Sequence, residues 1–357
     1  MRMRISTRTA AWCAGFAAVA LGVALAISGH TPAARAAAIT PARAIGTGTG
    51  AENTTISTSP APTATTTATL KPPPAASLLD PPDQAKYIGV SLPTGASGLP
   101  GFDEATGTAP NLNEQFVNVG APFPATQAAE ALAQGAYTLI SWQSTTVPLT
   151  QITAGSEDTY FKRFAAAAKA FRWPVLIDFD HEFNGNWYSW GTQAVTPPQF
   201  VAAWQHIHAL FAAAAAANVL WVWSPNVVNP VPDVNLAAYW PGAQNVDVVG
   251  IVGYFTGHLG EDNYPDLFAR TENAIDAFAN KPFLITEVGA EQGPAKPGWI
   301  TDLIQGVKAD PHMLGFVYFD EGAAQHKRDD WTLEDDPPAV TAWRNAITGM
   351  PLAKTAG

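Results

Sequence analysis

Thiol chemistry is nearly absent from this chain, whose single cysteine, Cys13, lies inside an N-terminal apolar run. One cysteine cannot build a disulfide framework or a multi-cysteine metal site. Positive charge is also scarce, with 19 Lys and Arg against 30 Asp and Glu and a net charge of −11. Such a chain is repelled by nucleic acid and by anionic membranes, so neither is an expected partner. No Gly-rich phosphate loop follows the first strand-like segment, which argues against a dinucleotide-binding doubly wound sheet. A His-Glu-x-x-His zinc helix is missing as well: after His181-Glu182 the second histidine position is Gly185. His206 and His208 stand two apart on a helical stretch and face different ways. No metal and no cofactor are implied.

What is present begins with a targeting pattern. Arg2, Arg4 and Arg8 precede an apolar run at 10–27, followed by the small-residue sites Ala34-Arg35-Ala36 or Ala36-Ala37-Ala38. This is the layout of a secretory signal peptide over residues 1–38, and it predicts a secreted, extracellular protein. An uncleaved membrane anchor is the rival reading. Cleavage would remove Cys13 and four arginines, shifting the net charge from −11 to −15. Residues 39–79 are dense in Thr, Ala, Pro and Ser, a composition too poor in apolar residues to offset chain entropy, and predict a disordered linker.

The remainder, residues 80–350, suits one large α/β domain. Short, near-continuous apolar runs at 87–90, 116–119, 137–142, 175–179, 219–223, 246–251, 283–286 and 315–319 read as strands buried on both faces. Helix-like segments lie between them at 126–134, 159–171, 198–217, 266–278 and 299–309, with another at 338–347. Thr196 and Gln199 form a capping-box pattern ahead of the third of these helices. Eight strands alternating with helices predict a single (β/α)₈ TIM barrel.

The chemistry concentrates at two strand ends. The run Leu-Ile-Asp-Phe-Asp-His-Glu-Phe-Asn-Gly-Asn-Trp at 176–187 breaks from apolar strand into His181, Glu182, Asn184 and an aromatic loop. The run Phe-Leu-Ile-Thr-Glu-Val-Gly at 283–289 places Glu287 in a similar setting 105 residues later. Ends of the fourth and seventh strands share the C-terminal mouth of a barrel, so both carboxylates would face one cleft. Paired carboxylates about 5–5.5 Å apart are the machinery of retaining glycoside hydrolysis. Either glutamate alone is as readily half of a structural ion pair; the matched placement favours catalysis. Glu182, in apolar and aromatic surroundings, reads as the proton donor, and Glu287 as the nucleophile with Gly289 leaving room beside it. Among twelve tryptophans, Trp142, Trp187, Trp190, Trp223 and Trp331 fall at or beyond strand ends, where indole faces can stack on sugar rings. The loop of Trp187 and Trp190 is expected to be exposed. The acidic cluster of Asp329, Asp330, Glu334, Asp335 and Asp336 reads as a solvated loop.

His-Glu-Phe-Asn-Gly-Asn-Trp at 181–187, with Trp190-Gly191, resembles the acid/base signature of glycoside hydrolase family 26, a β-mannanase family of (β/α)₈ barrels. The resemblance continues through Tyr239-Trp-Pro-Gly242, residues 246–251 up to Tyr254, residues 285–289, and Tyr318-Phe-Asp-Glu321 with Asp330-Trp331. It implies Glu182 as acid/base and Glu287 as nucleophile. It also implies His181 and Trp187 beside the scissile sugar, and Tyr254 hydrogen-bonded to the nucleophile. Asn184, Trp190, Trp142 and Trp331 complete the candidate substrate-binding set. Two departures stand out: Asp178 occupies a position where the family often has arginine, and Tyr318 and Asp320 replace the more usual Trp and Asn. The expectation is a secreted, monomeric, retaining endo-β-1,4-mannanase whose partner is a polysaccharide. Mixed-linkage β-glucan or β-1,3-xylan are alternative substrates. A non-catalytic carbohydrate-binding barrel and a cell-wall protein anchored through residues 10–27 are alternative classes.

Overall fold

The computed structural model describes residues 71–228, 234–258, 260–326 and 329–355. The expected signal peptide, Cys13 and residues 39–70 of the expected linker lie outside the described residues. Eight parallel strands close into a barrel in chain order: β1 Tyr87–Ser91, β2 Leu112–Asn118, β3 Tyr137–Gln143, β4 Val175–Phe179, β5 Val219–Trp223, β6 Val248–Phe255, β7 Phe283–Ala290 and β8 Met313–Phe319. The ring closes where β8 pairs with β1 over Tyr87↔Gly315 to Ser91↔Phe319. The helices are α1 Leu99–Thr106, α2 Ala125–Ala133, α3 Leu149–Thr153, α4 Asp158–Phe171, α5 Pro197–Ala214, α6 Arg270–Asp276, α7 Lys296–Ala309, α8 Ala323–His326 and α9 Pro337–Ile347. The (β/α)₈ expectation is met, and the Thr196–Gln199 capping box closes the start of α5 as anticipated.

Alternation along the strands separates two cores. Outward residues such as Ile140, Ile177, Trp223, Ile251, Ile285 and Phe316 pack into the larger apolar cluster with helix residues including Phe164, Trp204, Leu303 and Trp343. Inward residues Leu112, Leu139, Leu176, Leu220, Val248, Leu284 and Leu314 fill the lower barrel. Large aliphatic side chains are what a barrel interior requires at its floor. Above them the interior turns polar, with buried Glu114, Ser141, Asp178, Ser224 and Thr286.

The floor shifts the expected domain boundaries. Ala75–Leu79 form a turn of 3₁₀ helix, and Ala75 and Leu78 are buried against the inward leucines. Residues 75–79 therefore belong to the barrel and not to a linker, because the open lower end needs an apolar cover. At the other end the domain runs past residue 350. Ala353 is buried, and its N–H donates to the Lys86 carbonyl at 2.9 Å.

Candidate active site

Glu182 stands just beyond β4 on backbone that few non-glycine residues adopt. Asp180 has φ 51° and Glu182 φ 53°, both left-handed. Such conformations cost about 1–3 kcal/mol each and persist where the surroundings over-determine them. Here they do. Asp180 N–H donates to the Trp142 carbonyl at 2.9 Å, and its carboxylate accepts from both the amide and the hydroxyl of Ser144 at 2.8 Å. Glu182 N–H donates to the Ser224 carbonyl at 2.7 Å. The Asn184 side chain donates to the Asn226 carbonyl and accepts from the Asn226 N–H, each at 2.8 Å, tying the loop to the end of β5.

The Glu182 carboxylate is held from three sides: Asn226 Nδ2 donates to Oε1, Trp187 Nε1 donates to Oε2 at 3.0 Å, and the Tyr188 hydroxyl donates as well. Gly185 makes the Trp187 contact possible, since a Cβ there would lie 2.4 Å from the indole. Burial raises the Glu182 pKa, and the three donors oppose that rise. The apolar setting expected to keep this acid protonated is therefore only part of its environment.

Glu287 lies inside β7, where the pairing with β6 and β8 is irregular on either side of it. The Tyr254 hydroxyl donates to Oε2 at 2.9 Å, as the resemblance implied, and His181 Nε2 lies 3.4 Å from Oε1. Gly289 leaves room for both neighbouring aromatics: a Cβ would sit 3.0 Å from Tyr254 and 3.1 Å from Trp331. Burial pushes the Glu287 pKa well up, and repulsion from Glu114 and Glu182 adds to it. Burial lowers His181 to about 3, so its ring is neutral at ordinary pH. The charge on Glu287 is thus disfavoured by two neighbouring carboxylates, Glu114 first and Glu182 second.

The remaining candidates divide. Trp187 and Tyr254 are partly exposed within the site. Trp331 is buried beside it, its ring 4.8 Å from that of Tyr254. Trp190 is buried rather than exposed: it stacks under Tyr188 at 4.3 Å and donates to the His181 carbonyl at 2.8 Å. Asn184 is also buried and spends its amide on Asn226, so both support the site from behind. Trp142 is not at the site. It follows inward-facing Ser141 by one residue, so strand alternation turns it outward, where it stacks on Phe164 of α4 at 4.2 Å. Tyr318 is likewise outward, buried 5.8 Å from Trp343, so its replacement of Trp removes no stacking platform from the cleft.

Three features escaped the sequence reading. Asn226, Tyr188 and Ser224 carry no motif signal of their own. Phe116, the exposed large apolar side chain among the described residues, sits 5.8 Å edge-on to His181 and 6.2 Å from Phe319. The acidic segment after β8 is more than a solvated loop. Buried Lys296 donates to the Thr332 carbonyl at 2.6 Å, and the Tyr318 hydroxyl to the Trp331 carbonyl at 2.8 Å, fixing Trp331 beside Glu287.

A (β/α)₈ barrel whose mouth carries an aromatic-lined glutamate pair defines a class: barrel proteins equipped for general acid/base and nucleophilic work on one bond. A family model, Glycosyl hydrolase family 26, matches residues 159–321, a span holding both glutamates. Within this chain, residues 159–321 therefore carry the sequence pattern of glycosyl hydrolase family 26. It is 29% identical over 264 residues to Endoglucanase H of Acetivibrio thermocellus, covering 70% of this chain and 29% of that protein. It is 26% identical over 176 residues to a mannan endo-1,4-beta-mannosidase of Bacillus subtilis, covering 45% of each. The chain thus spans less than half the length of either curated relative. Among solved structures, a GH26 beta-mannanase from Bacteroides ovatus shares the fold at a TM-score of 0.59 and 14% identity, over 79% of this chain and 94% of that one.

Proposed function

We propose that the protein is a secreted, retaining endo-β-glycanase that cuts β-1,4-mannan. The observation that carries this reading is the convergence of Glu182 and Glu287, from different strands, on one buried and aromatic-lined mouth. In the first step Glu287 attacks the anomeric carbon while Glu182 protonates the departing glycosidic oxygen. In the second, Glu182 takes a proton from water, which displaces the sugar from Glu287. Glu182 must carry a proton for the first step. Esterification of Glu287 then removes its charge, and the three donors favour the Glu182 carboxylate that acts as base. The Tyr254 hydroxyl holds the nucleophile and neutral His181 lies beside it, and neither neutralises it. Partly exposed Trp187 and Phe116 offer ring faces to pyranose units.

Mannan is favoured because two of the similar curated proteins are named mannan endo-1,4-beta-mannosidases. A second reading, β-glucan, draws on Endoglucanase H, matched over 70% of this chain. A reducing-sugar assay on soluble mannan, glucomannan, mixed-linkage β-glucan and β-1,3-xylan separates the two, with Glu287→Ala as control. Mannan turnover supports the first reading and glucan-only turnover the second. Binding without turnover would leave a carbohydrate-binding barrel. Proton NMR of the first-formed anomer tests retention.

A further inference from the structure

Ser224 follows the last residue of β5 and is buried. Its carbonyl accepts the Glu182 N–H at 2.7 Å, which helps hold Glu182 in its left-handed conformation. Its hydroxyl lies 2.8 Å from the hydroxyl of Thr286, a fully buried residue that immediately precedes Glu287. The buried Asp178 carboxyl on β4 lies close by, and among the described residues neither of its oxygens accepts a hydrogen bond. β5 and β7 are not neighbours, for β6 runs between them. Their side chains meet across β6 because the intervening residue is Gly250. A Cβ there would fall 1.7 Å from Ser224 Oγ and 2.9 Å from Thr286 Cγ2. One residue thus grips the backbone of one glutamate and the shoulder of the other through a gap that a glycine leaves open.

We propose that Ser224 is a positioning residue that sets the placement of Glu182 relative to Glu287, with Thr286 as its partner and Gly250 as the opening it needs. The proposal rests on the glycosidase reading for its kinetic consequence and on geometry alone for the bracket. Double displacement tolerates little error in carboxylate placement: a shift of about 1 Å costs on the order of 100-fold in rate. A bracket acting on the spacing changes kcat, whereas a bond serving only the core changes thermal stability and leaves kcat alone.

The test uses the full chain carrying Ser224→Ala, Thr286→Val, both together, Thr286→Ser, or Gly250→Ala, assayed on a soluble β-glycan the wild type cleaves. For Ser224→Ala and Thr286→Val the expected result is a kcat lower by about 10- to 100-fold with KM within about threefold. Thr286→Ser keeps the hydroxyl and should retain most of the turnover. The double variant should be no worse than the poorer single, because both remove one interaction. Gly250→Ala should reproduce the loss with both hydroxyls still present. A kcat near wild type in Ser224→Ala and Thr286→Val, with only the melting temperature lowered, would overturn the proposal, as would losses that multiply in the double variant. If Ser224→Ala does not fold, the contrast between Thr286→Val and Thr286→Ser decides. A wild type inactive on every β-glycan would refute the glycosidase reading and not the bracket. The bracket is then judged from crystal structures of wild type and Thr286→Val, in which it requires the Glu182–Glu287 carboxyl separation to differ by about 1 Å.

Discussion

Glu182 and Glu287 share one cleft, yet the chain holds them by different means. Glu182 sits on irregular, left-handed backbone after its strand, and its carboxylate receives bonds from Asn226, Trp187 and Tyr188. Glu287 sits within a strand, receives one bond from Tyr254, and among the described residues its Oε1 accepts none. The acid/base of a double displacement must change protonation state twice per cycle, and its network stabilises both the pose and the charged form. A nucleophile needs one oxygen free to reach carbon. The asymmetry of the two surroundings matches the asymmetry of the two roles.

The sharpest way to break this comparison is to remove each carboxylate in turn. Glu287→Ala leaves nothing to form a glycosyl-enzyme, and turnover of every β-glycoside should fall by on the order of 10⁴-fold or more. Glu182→Ala should fall by about 10²- to 10⁴-fold on polysaccharide, where the leaving group needs a proton. On an aryl glycoside with an acidic phenol its first step should be largely spared, giving a burst of phenol and a slow steady state that azide accelerates. Equal loss of the first step on both substrate types would reverse or void the assignment.

The network around Glu182 offers a smaller effect. Asn226→Ala removes a hydrogen bond to the carboxylate and leaves the Asn184 clamp, which uses the Asn226 backbone, in place. Bonds to charged groups are worth about 1.5–3 kcal/mol, so kcat/KM should fall by roughly 10- to 100-fold. An unchanged value would show that Trp187 and Tyr188 suffice to hold the acid.

How legible these two regions were follows the same division. The strand positions of both glutamates could be read because outward strand residues are apolar and punctuate the chain regularly. Tyr254 was found through the resemblance, and Trp331 as a tryptophan beyond a strand end that the resemblance also covers. β2 was read as starting four residues late because its inward positions at this height carry Glu114 and its outward ones Asn113 and Gln115, so half the strand lacks an apolar signal. Trp142 and Trp190 were misplaced for a related reason. Tryptophan at a strand end or in a loop is silent about which way it faces, and only the parity with Ser141 and the stack under Tyr188 decide it. Asn226 and Ser224 lie at the end of β5, and closure of the barrel, not chain proximity, brings them to Glu182.

The barrel floor is a second contrast with the mouth, apolar where the mouth is charged. A chain beginning at Asp80 loses the burial of Leu78 and Ala75 beneath the inward leucines. That should cost about 2–3 kcal/mol and lower the melting temperature by roughly 5 °C, with kcat little affected because the site is at the other end. Leu78→Asp in the full chain should reproduce the loss. An unchanged melting temperature would return residues 75–79 to the linker.

Asp178 gives the finest test, because it lies beneath the pair without belonging to it. Like-charge repulsion from an ionised Asp178 would raise the pKa of Glu182, so Asp178→Asn would move the alkaline limb of the pH–rate profile to lower pH. Burial, reinforced by Asp180 and Glu182, raises Asp178 itself well above the ordinary carboxylate range, and the nearby Ser224 hydroxyl only partly opposes this. The rise favours the protonated form in the folded protein, and asparagine is close to its isostere, so the alkaline limb should stay within about 0.3 pH units. Stability should move instead, and the sign is set by linkage. Between the unfolded pKa near 3.9 and the raised folded value, the native state binds the extra proton, so stability falls as pH rises. That cost is absent at pH 3.5 and present at pH 8. Asp178→Asn removes it, and the melting temperature difference between variant and wild type should grow more favourable to the variant from pH 3.5 to pH 8. A limb that moves while this difference stays flat would mean that Asp178 is ionised in the folded protein and repels the pair directly.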